Sequence, residues 1–278
     1  MRWGDLELQR VEEARIDVPV ALLTGGTAKM AGSDLQSFQL VFQSWILRHR
    51  GLVILIDPCA GNGRDRPAMP HFHQLETPYL DRLRETGIAP EQVDIVFCTH
   101  LHCDHCGWNT RRQDGRWVPT FPNARYLLVR REVERWGSGR DDHAVIDYNV
   151  GVFEDSVQPI LEAGLADLVE AGHRVAPGVW IERAPGHTFG HSILRVAQDG
   201  GEIIFTGDCF HHPLQIADCS LHLGGCDDLD QAIATRERLR GVLAETGALM
   251  VPAHFEAPHM GHVVKQDGQF RFRPWLGR

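Results

Sequence analysis

Four side chains that commonly bind metal ions lie within six residues near the middle of the chain. They are His100, His102, Asp104 and His105, and they follow the apolar run 93–98, which has the pattern of a buried strand. On an extended chain His100 and His102 point the same way because they are two residues apart. The other two side chains follow where the chain must turn. The two pairs cannot easily share one tetrahedral ion, so the spacing favours two neighbouring ions that need further ligands from elsewhere in the chain.

The order His-x-His-x-Asp-His, placed directly after a strand, resembles the signature of the metallo-β-lactamase superfamily. Three later motifs match further superfamily positions in chain order: Pro-Gly-His-Thr-x-Gly-His contains His187, Phe-Thr-Gly-Asp ends at Asp208, and Pro-Ala-His-Phe contains His254. The resemblance covers roughly residues 35–265 and implies an α+β fold, a four-layer αββα sandwich of two similar halves. Since no linker or low-complexity tract interrupts the sequence, we expect residues 1–278 to form a single domain.

The resemblance also implies that seven side chains hold two divalent metal ions. One ion would be held by His100, His102 and His187, the other by Asp104, His105 and His254, and Asp208 would bridge both. These ligands are five imidazoles and two carboxylates, with no thiolate. Such a set suits zinc, with iron, manganese or cobalt as alternatives that depend on availability.

A pair of metal ions about 3.5–4 Å apart lowers the pKa of a bridging water and makes hydroxide at neutral pH. We expect this metal-bridged hydroxide to attack the carbonyl of a lactone or related ester. Asp104, besides binding metal, is expected to orient the nucleophile by accepting its hydrogen bond. The sequence has no serine or cysteine nucleophile in a fitting motif, which predicts hydrolysis without a covalent enzyme intermediate.

The pairing of Asp104 and His105 with a bridging Asp208 resembles the lactonase branch of the family. This resemblance implies the substrate class. Homoserine lactonases of that branch carry a tyrosine three residues after the bridging aspartate, where this chain has His211. A histidine there resembles the methyl parathion hydrolase group. We expect His211 either to donate a hydrogen bond to the substrate oxygen in place of the tyrosine, or to support Asp208.

Two other activities stay open at this point. The first is phosphotriester hydrolysis by the same dinuclear site, which metal content alone does not separate from lactone hydrolysis. The second is oxidation by a single iron, as in thiol dioxygenase relatives of the superfamily. The complete set of ligands for a second ion, Asp104, His105 and His254, disfavours the single-iron alternative.

Several polar residues near the motifs are expected to have supporting roles. Asp57 ends a strand in the Gly-rich segment Asp-Pro-Cys-Ala-Gly-Asn-Gly, and it either orients a ligand histidine or is a simple turn residue. His191, four residues after His187, is expected to be a structural histidine that hydrogen-bonds loop backbone, as the resembled motif implies. His71 and His73 are expected to be loop residues near the mouth of the pocket.

The predicted elements place the candidate ligands at the ends of strands, where a rigid scaffold can hold them. Apolar patterning predicts a hairpin of two strands over 37–47 and 52–58, a helix over 157–171 and a helix over 227–246. Residues 261–274 are predicted to form a second hairpin around Asp267-Gly268. The walls of the substrate pocket are expected from the segments 23–36, 60–76 and 137–150.

Composition limits the class of protein. The chain has 278 residues and a net charge of −9 with histidine neutral, which argues against a nucleic-acid-binding protein. Its seven cysteines are odd in number and predict no disulfide scaffold, and Cys103 and Cys106 are expected to pack beside the site rather than bind metal. Because no signal-peptide profile or apolar run of ~20 residues appears, we expect a cytoplasmic protein without a membrane span. The expected partner is a small-molecule substrate, and a homodimer is a further expectation.

Overall fold

The structure is a computed structural model that describes residues 1–23, 35–137, 147–198 and 200–277. Most of two expected pocket-wall segments, namely 24–34 and 138–146, therefore lies outside the described residues. Within the described ranges, no helix is both long and apolar enough to cross a membrane.

The chain divides into two compact units. The first unit comprises Met1–Ala14 and Phe42–Glu170, and the second comprises Arg15–Val41 and Ala171–Arg278. Both units combine strands with helices, as the α+β prediction requires. The prediction that residues 1–278 form a single domain stays a prediction.

The first half of the chain opens with four strands, and helices and further strands follow in mixed order. They are β1 (Arg2–Trp3), β2 (Leu6–Pro19), β3 (Ser37–His49), β4 (Leu52–Ile56), α1 (Tyr79–Glu85), β5 (Ile95–Phe97), α2 (Cys103–Cys106), β6 (Thr110–Gln113), β7 (Arg116–Pro119), β8 (Arg125–Val129), α3 (Arg130–Trp136), α4 (Gln158–Glu162) and β9 (Ala166–Val169). The sheet order is β1-β2-β3-β4-β5-β8-β9, while β6 and β7 form a separate hairpin.

Parallel pairing in this sheet brings two loops together at one edge. β4 pairs with β5 in parallel, with Ile54 opposite Ile95 and Ile56 opposite Phe97, and β5 pairs with β8 in the same sense. The residues that follow β4 and β5 therefore leave the sheet side by side. The backbone N–H of Asp57 donates to the carbonyl of Phe97 at 3.0 Å and extends this pairing by one step.

The second half contains a sheet whose strands neighbour one another in chain order. Its elements are β10 (Arg174–Ala176), β11 (Val179–Arg183), β12 (Ser192–Gln198), β13 (Gly201–Gly207), α5 (Leu214–Ala217), α6 (Leu229–Thr246), β14 (Leu249–Pro252), β15 (Gly261–Gln266) and β16 (Gln269–Pro274). β13 and β14 are parallel, with Gly207 opposite Pro252. Asp208 and Ala253-His254 therefore follow two adjacent strand ends.

The helix α6 connects β13 to β14 and covers one face of the second sheet. Its N-cap is Asp228, whose carboxylate accepts the N–H of Gln231 at 2.9 Å, and it ends at Gly247, which adopts the left-handed conformation with φ 67°. Leu239 and Leu243 of the helix are buried against Met250 of β14. This buried face gives β13 and β14 a rigid support.

The predicted helix over 157–171 is wrong in its second half. The helix α4 ends at Glu162, and β9 follows at 166–169 in parallel with β8. Gly164 has a φ of 68° and separates the two elements. A short apolar stretch fits both helical and strand spacing, so periodicity alone did not reveal the edge strand.

Candidate metal centre

Three histidines of the central motif form a buried cluster after β5. Nε2 of His100 lies 3.0 Å from Nδ1 of His102, and the rings of His100 and His105 lie 4.0 Å apart between centroids. All three are at most 2% exposed. Buried imidazole nitrogens gathered in this way could hold a metal ion, for which neutral imidazole is a common ligand.

Asp104 and His105 lie on the short helix α2 that follows His102. Oδ2 of Asp104 lies 3.6 Å from Nε2 of His105, and the Asp104 side chain is half-buried. The carboxylate is therefore close to the histidine cluster while retaining some access to solvent. The sequence placed a turn here, and α2 is the turn that brings Asp104 and His105 back to the two earlier histidines.

Asp57 connects the end of β4 to this cluster. It has a φ of 52°, and its Oδ1 and Oδ2 accept hydrogen bonds from the backbone N–H and the hydroxyl of Thr99 at 2.7 and 2.9 Å. Oδ2 also lies 3.1 Å from Nδ1 of His105. Of the two roles expected from the sequence, the contact with Nδ1 fits the orientation of a histidine ring better than a simple turn residue.

The loop after α2 is held by close contact with the Gly-rich turn after β4. Gly107 donates its N–H to the carbonyl of Cys59 at 2.7 Å, and a Cβ on Gly107 would lie 1.8 Å from the backbone oxygen of Ala60. Buried Glu13 accepts hydrogen bonds from Ala60 N–H and from the indole N–H of Trp108. Burial raises the pKa of Glu13, although these hydrogen bonds oppose the change.

Arg64 fixes the same loop from another side. Its guanidinium donates to the backbone carbonyls of Gly107, Thr110 and Asp155 and lies 3.7 Å above the ring of Trp117. The side chain is 1% exposed, and burial lowers the pKa of Arg64 to about 10. The role of Arg64 was not predictable from the sequence, because this residue lies in an irregular segment without a recognisable motif.

In the second unit, three histidines surround Asp208. Nε2 of His187 and Nε2 of His211 lie 3.3 and 3.1 Å from Oδ2, and Nε2 of His254 lies 3.1 Å from Oδ1. The ligand atoms of His187, Asp208 and His211 all lie within 4.8 Å of one another, which is a group that could hold a metal ion. The ends of β13 and β14 thus bring Asp208 and His254 together, and His187 joins them from the loop after β11.

Backbone contacts hold His187 and His254 in place. His187 accepts the N–H of Asp227 at its carbonyl, 2.9 Å away, and a Cβ on the preceding Gly186 would lie 2.2 Å from the nitrogen of Ala232. The carbonyl of His254 accepts the N–H of Val41 at 3.0 Å, and Nδ1 of His254 lies 3.2 Å from the carbonyl of Val41. Both imidazoles therefore present Nε2 towards Asp208.

His191 has the structural role that the sequence predicts. Its Nδ1 lies 3.0 Å from the carbonyl of Ala184, and its Nε2 accepts the backbone N–H of Asp208 at 3.1 Å. These two bonds require a neutral ring with the proton on Nδ1. His191 thereby positions the backbone of Asp208.

His211 lies against Asp208 through Nε2, which supports the second of its two expected roles. Its backbone N–H, like that of His212, donates to Oε1 of Gln215. Among the described residues, Nδ1 of His211 has no hydrogen-bond partner although it is buried. That nitrogen is available to a group outside the protein chain.

The remaining candidates behave as packing or loop residues. Cys103 and Cys106 are buried, burial raises the pKa of each well above its usual value, and Sγ of Cys106 donates to the carbonyl of His102 at 3.3 Å. His71 and His73 are exposed, and Nδ1 of His73 accepts the N–H of Arg66. The expectation that none of the four binds metal stays a prediction.

Comparison with known proteins finds a family model and curated relatives. The family model, the metallo-beta-lactamase superfamily, matches residues 43–254. An N-acyl homoserine lactonase of Bacillus cereus is 24% identical over 186 residues, which are 66% of this chain and 62% of that protein. The chain thus spans less than two thirds of the length of the curated relatives it first matches.

Solved structures give a match over the whole chain. The hydrolase AbOPH of the beta lactamase superfamily has a TM-score of 0.84 at 22% identity, covering 100% of this chain and 97% of that one. AidC, a dizinc quorum-quenching lactonase in complex with a product, has a TM-score of 0.81 at 19% identity over the same shares. A probable metal-dependent hydrolase from Staphylococcus aureus has a TM-score of 0.78 at 18% identity, with both chains covered fully. These likenesses show a shared fold.

Proposed function

The chain belongs to the metallo-beta-lactamase superfamily, and on that premise we propose that it is a dinuclear metal-dependent hydrolase of a lactone or related ester. The observation that carries this proposal is the set of imidazoles around Asp208, a carboxylate that is 4% exposed. A buried carboxylate with imidazole nitrogens on both of its oxygens suits a bridging ligand. Curated relatives are N-acyl homoserine lactonases, which supports an acyl substrate.

The proposed ligands are those that the sequence motifs predict. We propose that two ions are bound by His100, His102 and His187, by Asp104, His105 and His254, and by the shared Asp208. The donor set fits divalent ions such as zinc, since it combines imidazole and carboxylate and all of its members except half-buried Asp104 are buried. When bound, two such ions lower the pKa of a water and polarise the carbonyl or phosphoryl oxygen of a substrate.

The chain's own groups have separate roles in this proposal. Asp104, which keeps some solvent access, accepts a hydrogen bond from the attacking water and orients it. His211 holds Asp208 through Nε2, and a ring protonated on both nitrogens would present Nδ1–H to a substrate oxygen. Both functions need rigid support, which α2 gives to Asp104 and the end of β13 gives to Asp208 and His211.

Phosphotriester hydrolysis is a second candidate function for the same residues. It is favoured by His211, which occupies the position where the resembled homoserine lactonases have tyrosine. A tetrahedral phosphoryl group and a lactone both develop negative charge on an oxygen during attack, so one site can serve both. The expected homodimer and the cytoplasmic location stay predictions of the sequence.

The test combines metal analysis with rates on lactones, simple esters and phosphotriesters. We expect two divalent ions per chain and the highest kcat/KM on a lactone or ester. Asp208→Ala should lose metal and all three activities. Asp218→Ala, which removes a carboxylate that accepts a hydrogen bond from Ser220, should retain the metal and the activities. A metal-loaded chain that cleaves none of the three classes would contradict the proposal, and one iron per chain with oxygen consumption would replace it.

A further inference from the structure

Leu101 separates two of the proposed ligands, and buried side chains hold both of its backbone polar groups. Its N–H donates to Oε2 of Glu132 at 3.0 Å, and its carbonyl accepts from Nδ2 of Asn149 at 3.0 Å. Glu132 is 0% exposed and Asn149 is 6% exposed. The strand β5 ends at Phe97, so Leu101 lies beyond the sheet and these side chains replace the hydrogen bonds of a strand.

The residues that hold Leu101 also bring two aromatic rings against His102. The indole N–H of Trp136 donates to the same Oε2 of Glu132 at 3.0 Å, and the Trp136 ring lies 5.5 Å from that of His102. Tyr148, the residue before Asn149, has its ring 5.3 Å from His102 at an interplanar angle of 78°. The imidazole of His102 is therefore confined on two sides.

Because Leu101 lies between His100 and His102, fixing its backbone also fixes the directions of both histidine side chains. The peptide groups of Leu101 set the Cα–Cβ directions of His100 and His102, because each neighbour shares a peptide plane with it. Glu132 lies on α3 and Asn149 lies in the segment after it. The two hydrogen bonds to the Leu101 backbone therefore come from residues distant in the sequence. A carboxylate buried for this purpose is expensive to desolvate unless its hydrogen bonds are made, and Oε2 accepts two.

We propose that Glu132 and Asn149 are positioning residues that set His100 and His102 in the geometry of metal binding. This inference rests on the proposed function, in which those histidines are ligands. Neither side chain is itself a ligand in this assignment, since Oε2 and Nδ2 are directed at the Leu101 backbone. Loss of either contact should therefore weaken metal binding without removing a donor atom.

The experiment measures Zn²⁺ affinity by competition with a chromophoric chelator and the visible spectrum of the Co²⁺-loaded chain. Asn149→Asp keeps the shape but presents an acceptor to the Leu101 carbonyl, and we expect affinity to fall by about 10–100-fold with an altered cobalt spectrum. Asn149→Ser, which keeps a donor in a shorter side chain, serves if Asn149→Asp does not fold, and it should show a smaller loss. Glu132→Gln retains an acceptor oxygen and should remain close to wild type, whereas Glu132→Ala should not.

Two controls make the outcome decisive. Asn123→Asp removes the same kind of bond, from Nδ2 to the carbonyl of exposed Glu91 at 2.8 Å, and should leave affinity and spectrum unchanged. His102→Ala tests the proposed function itself. If His102→Ala weakens metal binding while Asn149→Asp and Glu132→Ala leave affinity and spectrum unchanged, the positioning role is wrong and the centre stands. If His102→Ala has no effect, the proposed centre is wrong.

Discussion

The carboxylate of Asp57 lies 3.1 Å from Nδ1 of His105 while it accepts two hydrogen bonds from Thr99. Asp57 has a φ of 52°, a conformation that aspartate and asparagine tolerate better than most residues. The end of β4 thus carries a residue that is suited to both the strained turn and the orientation of a histidine. Replacing Asp57 by asparagine would remove the charge of the side chain while keeping a residue that tolerates this backbone conformation.

We expect Asp57→Asn to weaken metal binding by about 10–100-fold while the chain remains folded. Asparagine keeps the left-handed backbone, but it presents one acceptor oxygen where the carboxylate serves both Thr99 and His105. The measurement is Zn²⁺ affinity together with the circular dichroism of the metal-free chain. Asp94→Asn, which alters a carboxylate that accepts the N–H of Val53 at 2.8 Å, is the control. Equal affinities for all three chains would rule out the orienting role.

Substitution of His211 by tyrosine should change substrate preference. In the wild type, Nε2 lies 3.1 Å from Oδ2 of Asp208, and Nδ1 can donate to a substrate oxygen only when both ring nitrogens are protonated. A tyrosine hydroxyl reaches further and donates a single hydrogen bond, so we expect the ratio of kcat/KM for lactones to that for phosphotriesters to rise. Rates on both panels with His211→Tyr and wild type measure this ratio. An unchanged ratio would mean that His211 only supports Asp208.

Removal of metal should abolish hydrolysis and lower stability. A ligand that binds only the native state stabilises it by RT ln(1 + [L]/Kd), about 2.7 kcal/mol at a hundredfold excess over Kd. We expect a chelator to lower the melting temperature of the wild type, and added Zn²⁺ to restore both temperature and activity. Asp208→Ala should melt at one temperature with or without chelator. A chelator-treated wild type with full activity would contradict the metal assignment.

The fold type was predictable because its signals are local. The motif His-x-His-x-Asp-His, the strand pattern of 37–47 and the helix pattern of 227–246 each occupy one continuous segment, and the structure confirms both elements as β3 and α6. The solved relatives confirm the fold type that the motif predicts. A continuous segment shows its own apolar residues and turn or cap residues without any contact from the rest of the chain.

The supporting contacts were not predictable for the opposite reason. Glu132 lies in the charged sequence Arg130-Arg131-Glu132-Val133-Glu134, which is typical of an exposed helix, yet it is buried because Leu101 and Trp136 need its oxygen. Only the spacing of Glu132 and Trp136, four residues apart on one helix face, could have indicated the contact. The ligand assignment across the chain stays a prediction that the metal and variant experiments test.

Acid should destabilise the metal-free chain partly through His212. Burial lowers the pKa of His212 to about 4, and its Nδ1 accepts the N–H of Leu214 at 3.2 Å, which protonation would break. The unfolded chain, with a histidine pKa near 6.5, binds the proton first, so this contribution to stability is present above pH ~6.5 and is lost as the pH falls towards 4.

The variant His212→Asn keeps an acceptor for Leu214 but does not titrate. Since a tenfold change in proton affinity is worth about 1.4 kcal/mol, the variant should lose about 2–3 kcal/mol less than the wild type between pH 7 and pH 4.5. Urea unfolding of the metal-free chains at both pH values measures the difference. His173→Asn, at an exposed histidine, controls for the loss of one imidazole. Parallel losses in wild type and His212→Asn would show that His212 does not contribute.

A methyl group at Gly107 should prevent the loop after α2 from closing on the turn after β4. The φ of Gly107 is −57°, so alanine is conformationally acceptable there, but its Cβ would lie 1.8 Å from the backbone oxygen of Ala60. Neither backbone can move without breaking the 2.7 Å hydrogen bond from Gly107 to Cys59 and the contacts that Glu13 makes with Ala60. We therefore expect Gly107→Ala to destabilise the chain by several kcal/mol.

Gly241→Ala provides the matched substitution, because it lies in the interior of α6 and its added Cβ would meet no atom within 4 Å. Alanine should stabilise that helix by about 0.5–1 kcal/mol through a smaller loss of backbone entropy. Urea unfolding of both variants and Zn²⁺ binding by each separate the effects. We expect the free energy of unfolding to fall in Gly107→Ala and to rise in Gly241→Ala, with metal binding reduced only in Gly107→Ala. A Gly107→Ala chain that unfolds and binds Zn²⁺ like the wild type would show that the two loops have room to separate, and that their contact does not position Asp104 and His105.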